Sequence, residues 1–213
     1  MGQDKIAEEA ATRGAVLTKQ EIRERLLRDL VISPLLEPDL QIKDASVDIR
    51  LGTSFIVNKR PQLSYIDPKD LDASRIREFQ QTQFVPFGER FFLHPGHLVL
   101  GSTFEFMALP KDLSGFVLSR SCYGRIGLLV ATATFVHPGW QGCLTLELEN
   151  LGEVPIALRP GSRVGQLVLM RATTMTEVPL LKVIPVGPAY STLAADPDWT
   201  RLTALSKAPT ANK

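Results

Sequence analysis

Residues 119–150 read S-R-S-C-Y-G-R-I-G-L-L-V-A-T-A-T-F-V-H-P-G-W-Q-G-C-L-T-L-E-L-E-N and carry the clearest structural pattern of the chain. From residue 143 onward, apolar and polar residues alternate, with leucines on one face and Glu147 and Glu149 on the other. A period of two is typical of a β-strand with one buried face. The stretch therefore predicts a strand that carries two carboxylates on one side, although a strand whose polar face simply meets water is the commoner case.

A short polar loop precedes this strand and favours a functional interpretation of the carboxylates. It contains Arg120, Ser121 and Arg125, and it follows the apolar run at residues 116–118. Guanidinium groups bind phosphate oxygens through paired hydrogen bonds. Isolated arginines more often pair with surface acids. Next to Glu147, however, the loop is predicted to form an anion site that faces a general base.

The rest of the chain has the pattern of an all-β domain. Thr18 and Glu21 form a capping box, which predicts a short helix at the start of the domain. Short apolar runs bounded by Pro and Gly follow, which is typical of a jelly-roll barrel or sandwich. Strands are expected at residues 46–57, 90–94, 97–108, 114–119, 127–136, 142–150, 154–158 and 164–171. Residues 59–88 are predicted to form a polar insertion with one or two helical turns.

Length, charge and cysteine content limit the class of protein. The chain has 213 residues and a formal net charge of +1, so it can bury one core and has no charge that favours nucleic acid or membrane. We expect a loose arm at residues 1–16, a β domain at 17–172, and a tail at 173–213 that partly covers the active site. No apolar signal core or disulfide framework is apparent, so we expect a cytoplasmic protein.

Several blocks of the sequence resemble, in their order and spacing, those of the dCTP deaminases, a branch of the dUTPase-like superfamily. The similarity runs from about residue 17 to residue 170. The blocks are Ala45–Gly52, Leu93–Gly96, Val99–Thr103, Arg120–Arg125, Pro138–Gly142, Thr145–Asn150, Leu158–Gly161 and Gly165–Leu167. The resemblance implies a mainly β fold, the distorted jelly roll of the dUTPase-like type with a short N-terminal helix. It also implies a homotrimer with active sites at the subunit interfaces.

The resemblance further implies hydrolytic deamination of dCTP to dUTP and ammonia. Glu147 matches the catalytic glutamate, which takes a proton from the attacking water and later helps to protonate the leaving amine. Ser121 and Arg125 match the catalytic residues of the loop. The resemblance places substrate-binding residues at Arg120, Ser121, Arg125, Thr132, Ala133, His137, Trp140 and Gln166.

This deamination would proceed without zinc. Zinc-dependent nucleobase deaminases carry H-x-E followed by P-C-x-x-C, whereas this chain has two cysteines and three histidines without that spacing. No metal site made of protein ligands is therefore expected. Mg²⁺ is expected on the triphosphate of the substrate, because this ion usually binds through phosphates and few protein ligands.

Two positions depart from the pattern of these deaminases. His137 stands before Pro-Gly, where many of them carry Asp, and the aspartate at the corresponding place in dUTPases activates the water that cleaves the triphosphate. The tail at residues 182–192 keeps little of the usual closing segment. His137 thus argues against the first alternative, a dUTP diphosphatase or a bifunctional deaminase and diphosphatase. The altered tail leaves open the second, a non-catalytic nucleotide-binding regulatory trimer. The residues themselves do not separate dCTP from dCMP or CTP.

Overall fold

The structure is a computed structural model that describes residues 15–59, 65, 78–131 and 135–172, and this part of the chain is mainly β, as predicted. Its helices are α1 (Lys19–Leu26), α2 (Pro38–Gln41) and α3 (Ser121–Gly124). Its strands are β1 (Val31–Ser33), β2 (Val47–Asn58), β3 (Gln80–Phe84), β4 (Phe91–Leu93), β5 (Leu98–Ala108), β6 (Leu113–Ser119), β7 (Leu128–Ala131), β8 (Phe135–Val136), β9 (Gln141–Asn150), β10 (Ile156–Leu158) and β11 (Arg163–Arg171). None of the described helices is long and apolar enough to cross a membrane.

Most of these strands belong to one curled antiparallel sheet. Its order is β7-β9-β5-β2-β11-β6-β8, and β1 adds to β5 while β3 adds to β2. Strands β10 and β4 form a separate pair. The long strands β2, β5 and β9 lie side by side, and β11 connects β2 to β6. This order brings residues that are distant in the sequence to neighbouring positions of one sheet.

Alternation along the long strands builds the core. Leu144, Leu146 and Leu148 of β9 are at most 6% exposed, and Val47 and Ile49 of β2 are fully buried. Each buried aliphatic side chain of this size stabilises the fold by about 1.5–3 kcal/mol relative to its exposure to water. The apolar face of β9 therefore points inward as the sequence predicts, and its polar face points away from the core.

The predicted strand at 127–136 is interrupted. β7 ends at Ala131 and pairs with β9, whereas Phe135 and Val136 of β8 pair with β6. The chain thus changes from one end of the sheet order to the other between these two short strands. The residues in between, 132–134, lie outside the described part of the chain. The prediction of a single continuous strand over this range was wrong, because its first part pairs with β9 and its last part pairs with β6.

Within the predicted insertion at residues 59–88, Gln80–Phe84 form strand β3, which the sequence analysis did not predict. β3 pairs with β2 from Asn58↔Gln80 to Ser54↔Phe84. Its last four residues are all exposed, so the segment lacks the alternation that marks a half-buried strand. Residues 60–64 and 66–77 of the predicted insertion lie outside the described part of the chain.

The end of the predicted N-terminal arm contacts the domain. Val16 forms an antiparallel bridge with Met170, and the backbone N–H of Arg171 donates to the carbonyl of Ala15 at 2.8 Å. Residues 1–14 of the arm and the tail from 173 onward lie outside the described residues.

The predicted capping box of helix α1 is confirmed. The backbone N–H of Thr18 donates to Oε2 of Glu21 at 2.9 Å, and the hydroxyl of Thr18 accepts a bond from the backbone N–H of Glu21 at 3.5 Å. Arg171 of β11 forms an ion pair with the same carboxylate. The backbone hydrogen bond from Thr18, with help from Arg171, lowers the pKa of Glu21 from 4.5 to about 2. The carboxylate therefore links α1 to the sheet in its ionised form.

We expect Glu21→Gln to lower the free energy of unfolding at pH 7. Because the pKa of Glu21 is lower in the folded state than in the unfolded state, its contribution is complete above a pH of about 4.5 and is lost as the pH falls from there toward about 2. Urea denaturation across this range should show the gap between variant and wild type closing. Glu24→Gln, on the same helix, is the control. A gap that stays constant with pH would contradict this role for Glu21.

Gly127 lets the chain turn from helix α3 into strand β7. Its φ is +90°, and an added Cβ would lie 2.6 Å from the backbone N and 2.9 Å from the Cα of Gly152. The carbonyl of Gly127 also accepts a bond from the backbone N–H of Leu151 at 2.8 Å. Two backbone segments therefore meet at a separation that excludes any side chain.

We expect Gly127→Ala to lower the free energy of unfolding more than Gly88→Ala does. Both glycines have positive φ, but an added Cβ at Gly88 meets no atom of the described residues within 4 Å. Gly88→Ala should thus show the conformational cost alone, about 1–2 kcal/mol, and Gly127→Ala should add the cost of moving the backbone of Gly152. Denaturant titration of both variants measures the difference. Equal losses would show that the close approach of Gly127 and Gly152 is not a constraint.

Candidate active site

Glu147 lies on the outer face of β9, next to strand β7. In the sheet it is directly opposite Ala131 of β7 on one side and Leu100 of β5 on the other. Leu100 is 8% exposed, and Ile56, opposite Leu100 on β2, is 1% exposed. The half-buried Glu147 thus lies in a row across the sheet between Ala131 and the apolar residues Leu100 and Ile56. An acid in such a position can exchange protons with a bound ligand while water has limited access to it.

Glu149 follows on the same face of β9, as the alternation predicts. It lies opposite Leu129 of β7 and Leu98 of β5. Leu98 is 40% exposed and Leu129 is 37% exposed, so this part of the face is more open than the row that contains Glu147. The two acids therefore share a face but not an environment.

The polar loop is a single helical turn between β6 and β7. Arg120 is the N-cap residue of α3, with extended backbone angles, and Ser121 and Arg125 have exposed side chains. The hydroxyl of Ser119 accepts a bond from the backbone N–H of Val130 at 2.8 Å. This bond ties the end of β6 to β7, the strand that borders Glu147. The fold therefore connects the loop to the carboxylate through a short, hydrogen-bonded segment.

Arg120 and Gln166 lie close together, although 45 residues separate them in the sequence. Nη1 of Arg120 donates to the carbonyl of Arg163 at 2.9 Å. Gln166 of β11 lies opposite Leu118 of β6 on one side and Asp48 of β2 on the other. The predicted substrate-binding residues Arg120 and Gln166 thus belong to one region of the sheet.

Asp48 and Arg163 belong to the same region, and the sequence analysis did not select either as a site residue. Oδ2 of Asp48 is 3.7 Å from Nε of Arg120 and 3.7 Å from Nη1 of Arg163. One feature of the sequence could have identified Asp48. It lies between Val47 and Ile49, two apolar residues of a strand that are buried in the core. A carboxylate on the opposite face of such a strand needs a partner.

The turn that contains His137 and Trp140 lies at the far end of β9. The ring of His137 packs edge-on against Phe135, with 4.9 Å between the centroids, and Nε1 of Trp140 donates to the carbonyl of Gly142 at 3.2 Å. A strand rises by about 3.3 Å per residue, so Trp140 is on the order of 20 Å from Glu147. Within one chain these turn residues are not brought next to the carboxylate. Thr132 and Ala133 lie outside the described residues.

The described residues contain no group of three or more His, Cys, Asp or Glu side chains that could hold a metal ion. Cys122 is exposed on α3 and Cys143 is buried in β9. The expectation that no zinc takes part stays a prediction.

The curled, mainly β sheet places the chain among the jelly-roll-like β proteins. The family model described as dCTP deaminase-like matches residues 16–172. The chain therefore belongs to the dCTP deaminase-like family, as the resemblance of its sequence blocks predicted.

Named relatives agree with this assignment. The chain is 43% identical over 166 residues to the dCTP deaminase of Natronomonas pharaonis, with 77% of this chain and 84% of that protein covered. It is 42% identical over 166 residues to a dUMP-forming dCTP deaminase of Methanobrevibacter smithii, with 78% and 84% covered.

A crystal structure provides a comparison of the fold. The 2'-deoxycytidine 5'-triphosphate deaminase from Agrobacterium tumefaciens matches with a TM-score of 0.56 and 26% identity. The match covers 74% of this chain and 48% of the other, so this chain spans about half the length of that protein. The predicted fold, a distorted jelly roll of the dUTPase-like type, is confirmed.

Proposed function

We propose that this protein deaminates dCTP hydrolytically, so that dCTP and water give dUTP and ammonia. The observation that carries the proposal is the position of Glu147, which is half-buried next to the apolar residue Leu100 and beside β7, the strand that continues the Arg-Ser loop. The relatives named above are dCTP deaminases, and the alignments with them cover more than three quarters of this chain.

In the proposed reaction, water attacks C4 of the cytosine ring and Glu147 takes up its proton. The same carboxyl group then delivers a proton to the amine as the C–N bond breaks, so one residue serves as base and as acid. Ser121 and Arg125 hold the reacting centre and the phosphate end of the substrate. Arg120, which follows β6, and Gln166 of β11 also bind substrate. No step requires zinc. The zinc-dependent nucleobase deaminases bind their metal through His and Cys ligands in a motif that differs from this site.

Mg²⁺ would bind through the substrate triphosphate and would neutralise part of its charge, which demands few protein ligands. Thr132, Ala133, His137 and Trp140 would complete the contacts to base and sugar. We keep the cytoplasmic location as a prediction.

We infer a homotrimer in which neighbouring subunits complete each site. Two observations support this assembly. Within one chain, Trp140 is about 20 Å from Glu147 along β9. Two residues that are predicted to contact the same substrate are therefore far apart unless a second subunit brings them together. In addition, Phe116, Leu118 and Phe135 of neighbouring strands are 36–43% exposed, and the rings of Phe116 and Phe135 lie 5.2 Å apart. Such an apolar group is typical of a surface that another subunit covers.

We propose dUTP, and not dUMP, as the product. The basis is His137, which stands where an aspartate would be needed to activate water for cleavage of the triphosphate. An imidazole can donate a hydrogen bond to a sugar hydroxyl but does not replace that carboxylate. The relatives include both a plain dCTP deaminase and a dUMP-forming one, so a second candidate function is the bifunctional reaction. A purely binding role is less consistent with a half-buried acid next to β7, the strand that continues the Arg-Ser loop.

We expect Glu147→Gln to lower kcat for ammonia release from dCTP by about 10²–10⁴-fold. The amide keeps the size and much of the hydrogen bonding of the carboxylate but cannot accept the proton, so the Kd for dCTP should change little. Ammonia release and calorimetric titration with dCTP measure the two quantities.

Glu149→Gln is the matched control, because Glu149 shares the strand face but lies two residues away in a more open position. It should keep most of the activity. Full turnover by Glu147→Gln would contradict the proposed role of Glu147, and an equal loss in both variants would show that the face of β9 matters only for structure.

A further inference from the structure

A buried carboxylate lies between two arginines beside the predicted phosphate-binding region. The side chain of Asp48 is 2% exposed, whereas those of Arg120 and Arg163 are 28% and 26% exposed. Among the described residues, none forms a hydrogen bond with Oδ2 of Asp48. This oxygen lies 3.7 Å from a nitrogen of each guanidinium. The carboxylate is thus inside the fold, and both arginines reach from it toward the surface.

The charges of this cluster do not cancel. One aspartate faces two arginines, which leaves a net charge of +1. A buried carboxylate is costly unless opposite charges compensate it, and two guanidinium groups repel each other unless an anion lies between them. Asp48 therefore holds the two arginines near each other, and the surplus positive charge is available to a second anion from outside.

The contacts also fix the direction of Arg120. Nε of this residue faces Asp48, and Nη1 donates to the carbonyl of Arg163 at 2.9 Å. Both partners belong to strands in the interior of the sheet, β2 and β11. A guanidinium has five N–H donors, so one that is held at two of its nitrogens keeps further donors for a ligand. Groups fixed in this way bind without a large loss of side-chain entropy.

We propose that Asp48 is a positioning residue for the triphosphate of the substrate, which it serves by orienting Arg120 and by holding Arg163 next to it. This inference rests on the proposed function in one respect, the identity of the nucleotide. Asp48 acts through Arg120 and does not touch the reacting atoms. The ligand of the two arginines is a polyphosphate, because paired guanidinium donors match phosphate oxygens.

The first test is the affinity of Asp48→Asn for nucleotides. In this variant the shape is kept but the charge that orients the arginines is lost. We expect the Kd for dCTP to rise on the order of tenfold, the amount that corresponds to about 1.4 kcal/mol. The Kd for deoxycytidine, which has no phosphate, should not change. Titrations in the Glu147→Gln background measure binding without turnover, so the result can be read even if wild-type protein releases no ammonia and the proposed function fails.

Asp112→Asn is the matched control. Asp112 also pairs with an arginine, since Nη1 and Nη2 of Arg25 donate to its carboxylate at 2.7 and 2.6 Å. This pair lies between α1 and the start of β6, away from Arg120. The same substitution there should lower thermal stability and leave the Kd for dCTP unchanged. If both variants weaken dCTP binding equally, Asp48 acts through general stability and the proposal is wrong.

A double-mutant cycle tests whether Asp48 acts through Arg120. Once Arg120 is replaced in Arg120→Ala, adding Asp48→Asn should weaken dCTP binding by much less than it does alone, because coupled residues are not additive. Fully additive effects would overturn the proposal. So would a defect that disappears at saturating Mg²⁺, which would assign Asp48 to the cation.

A charge-balanced pair of variants keeps the test readable if Asp48→Asn does not fold. Asp48→Asn combined with Arg163→Gln removes one charge of each sign, and it is compared with Arg163→Gln alone. We expect the double variant to bind dCTP several-fold more weakly than the single variant. Equal affinities would overturn the proposal.

Discussion

The register of β9 between β5 and β7 is the constraint on which the rest of the site depends. Side chains alternate along a strand, so a shift by one residue would turn Glu147 into the core and expose Leu146 and Leu148. Those leucines are at most 1% exposed, and the cost of exposing them fixes the register. The same burial that stabilises the sheet thus determines on which face Glu147 lies and which residues lie opposite it.

The site is assembled from two regions of the sheet. Glu147 belongs to the side formed by β5, β9 and β7, whereas Asp48, Arg120 and Gln166 belong to the side formed by β2, β11 and β6. The segment from Arg120 to Gly127 joins the two sides. Its turn requires a glycine, and the hydroxyl of Ser119 connects its ends. The residues proposed for proton transfer and for phosphate binding thus lie on different strands, which one loop connects.

Local patterns predicted the parts of this structure that local interactions determine. The capping box of α1 and the alternation of β9 involve residues only a few positions apart, and both were predicted correctly. Strand β3 was missed because it is mostly exposed and depends on pairing with β2. The contact of Asp48 with Arg120 and Arg163 joins three separate strands or loops, and no spacing in the sequence indicates it. The family resemblance supplied the roles of Glu147 and the loop, which composition and periodicity alone do not define.

The product formed from dCTP tests the central claim most directly. Purified protein is incubated with Mg²⁺ and dCTP, and separately with dUTP, while ammonia is assayed and nucleotides are separated by chromatography. Our account predicts ammonia and dUTP in equal amounts from dCTP, and no reaction with dUTP. Formation of dUMP and diphosphate would contradict the conclusion drawn from His137. The absence of ammonia from dCTP would contradict the assignment of this protein as a deaminase of that nucleotide.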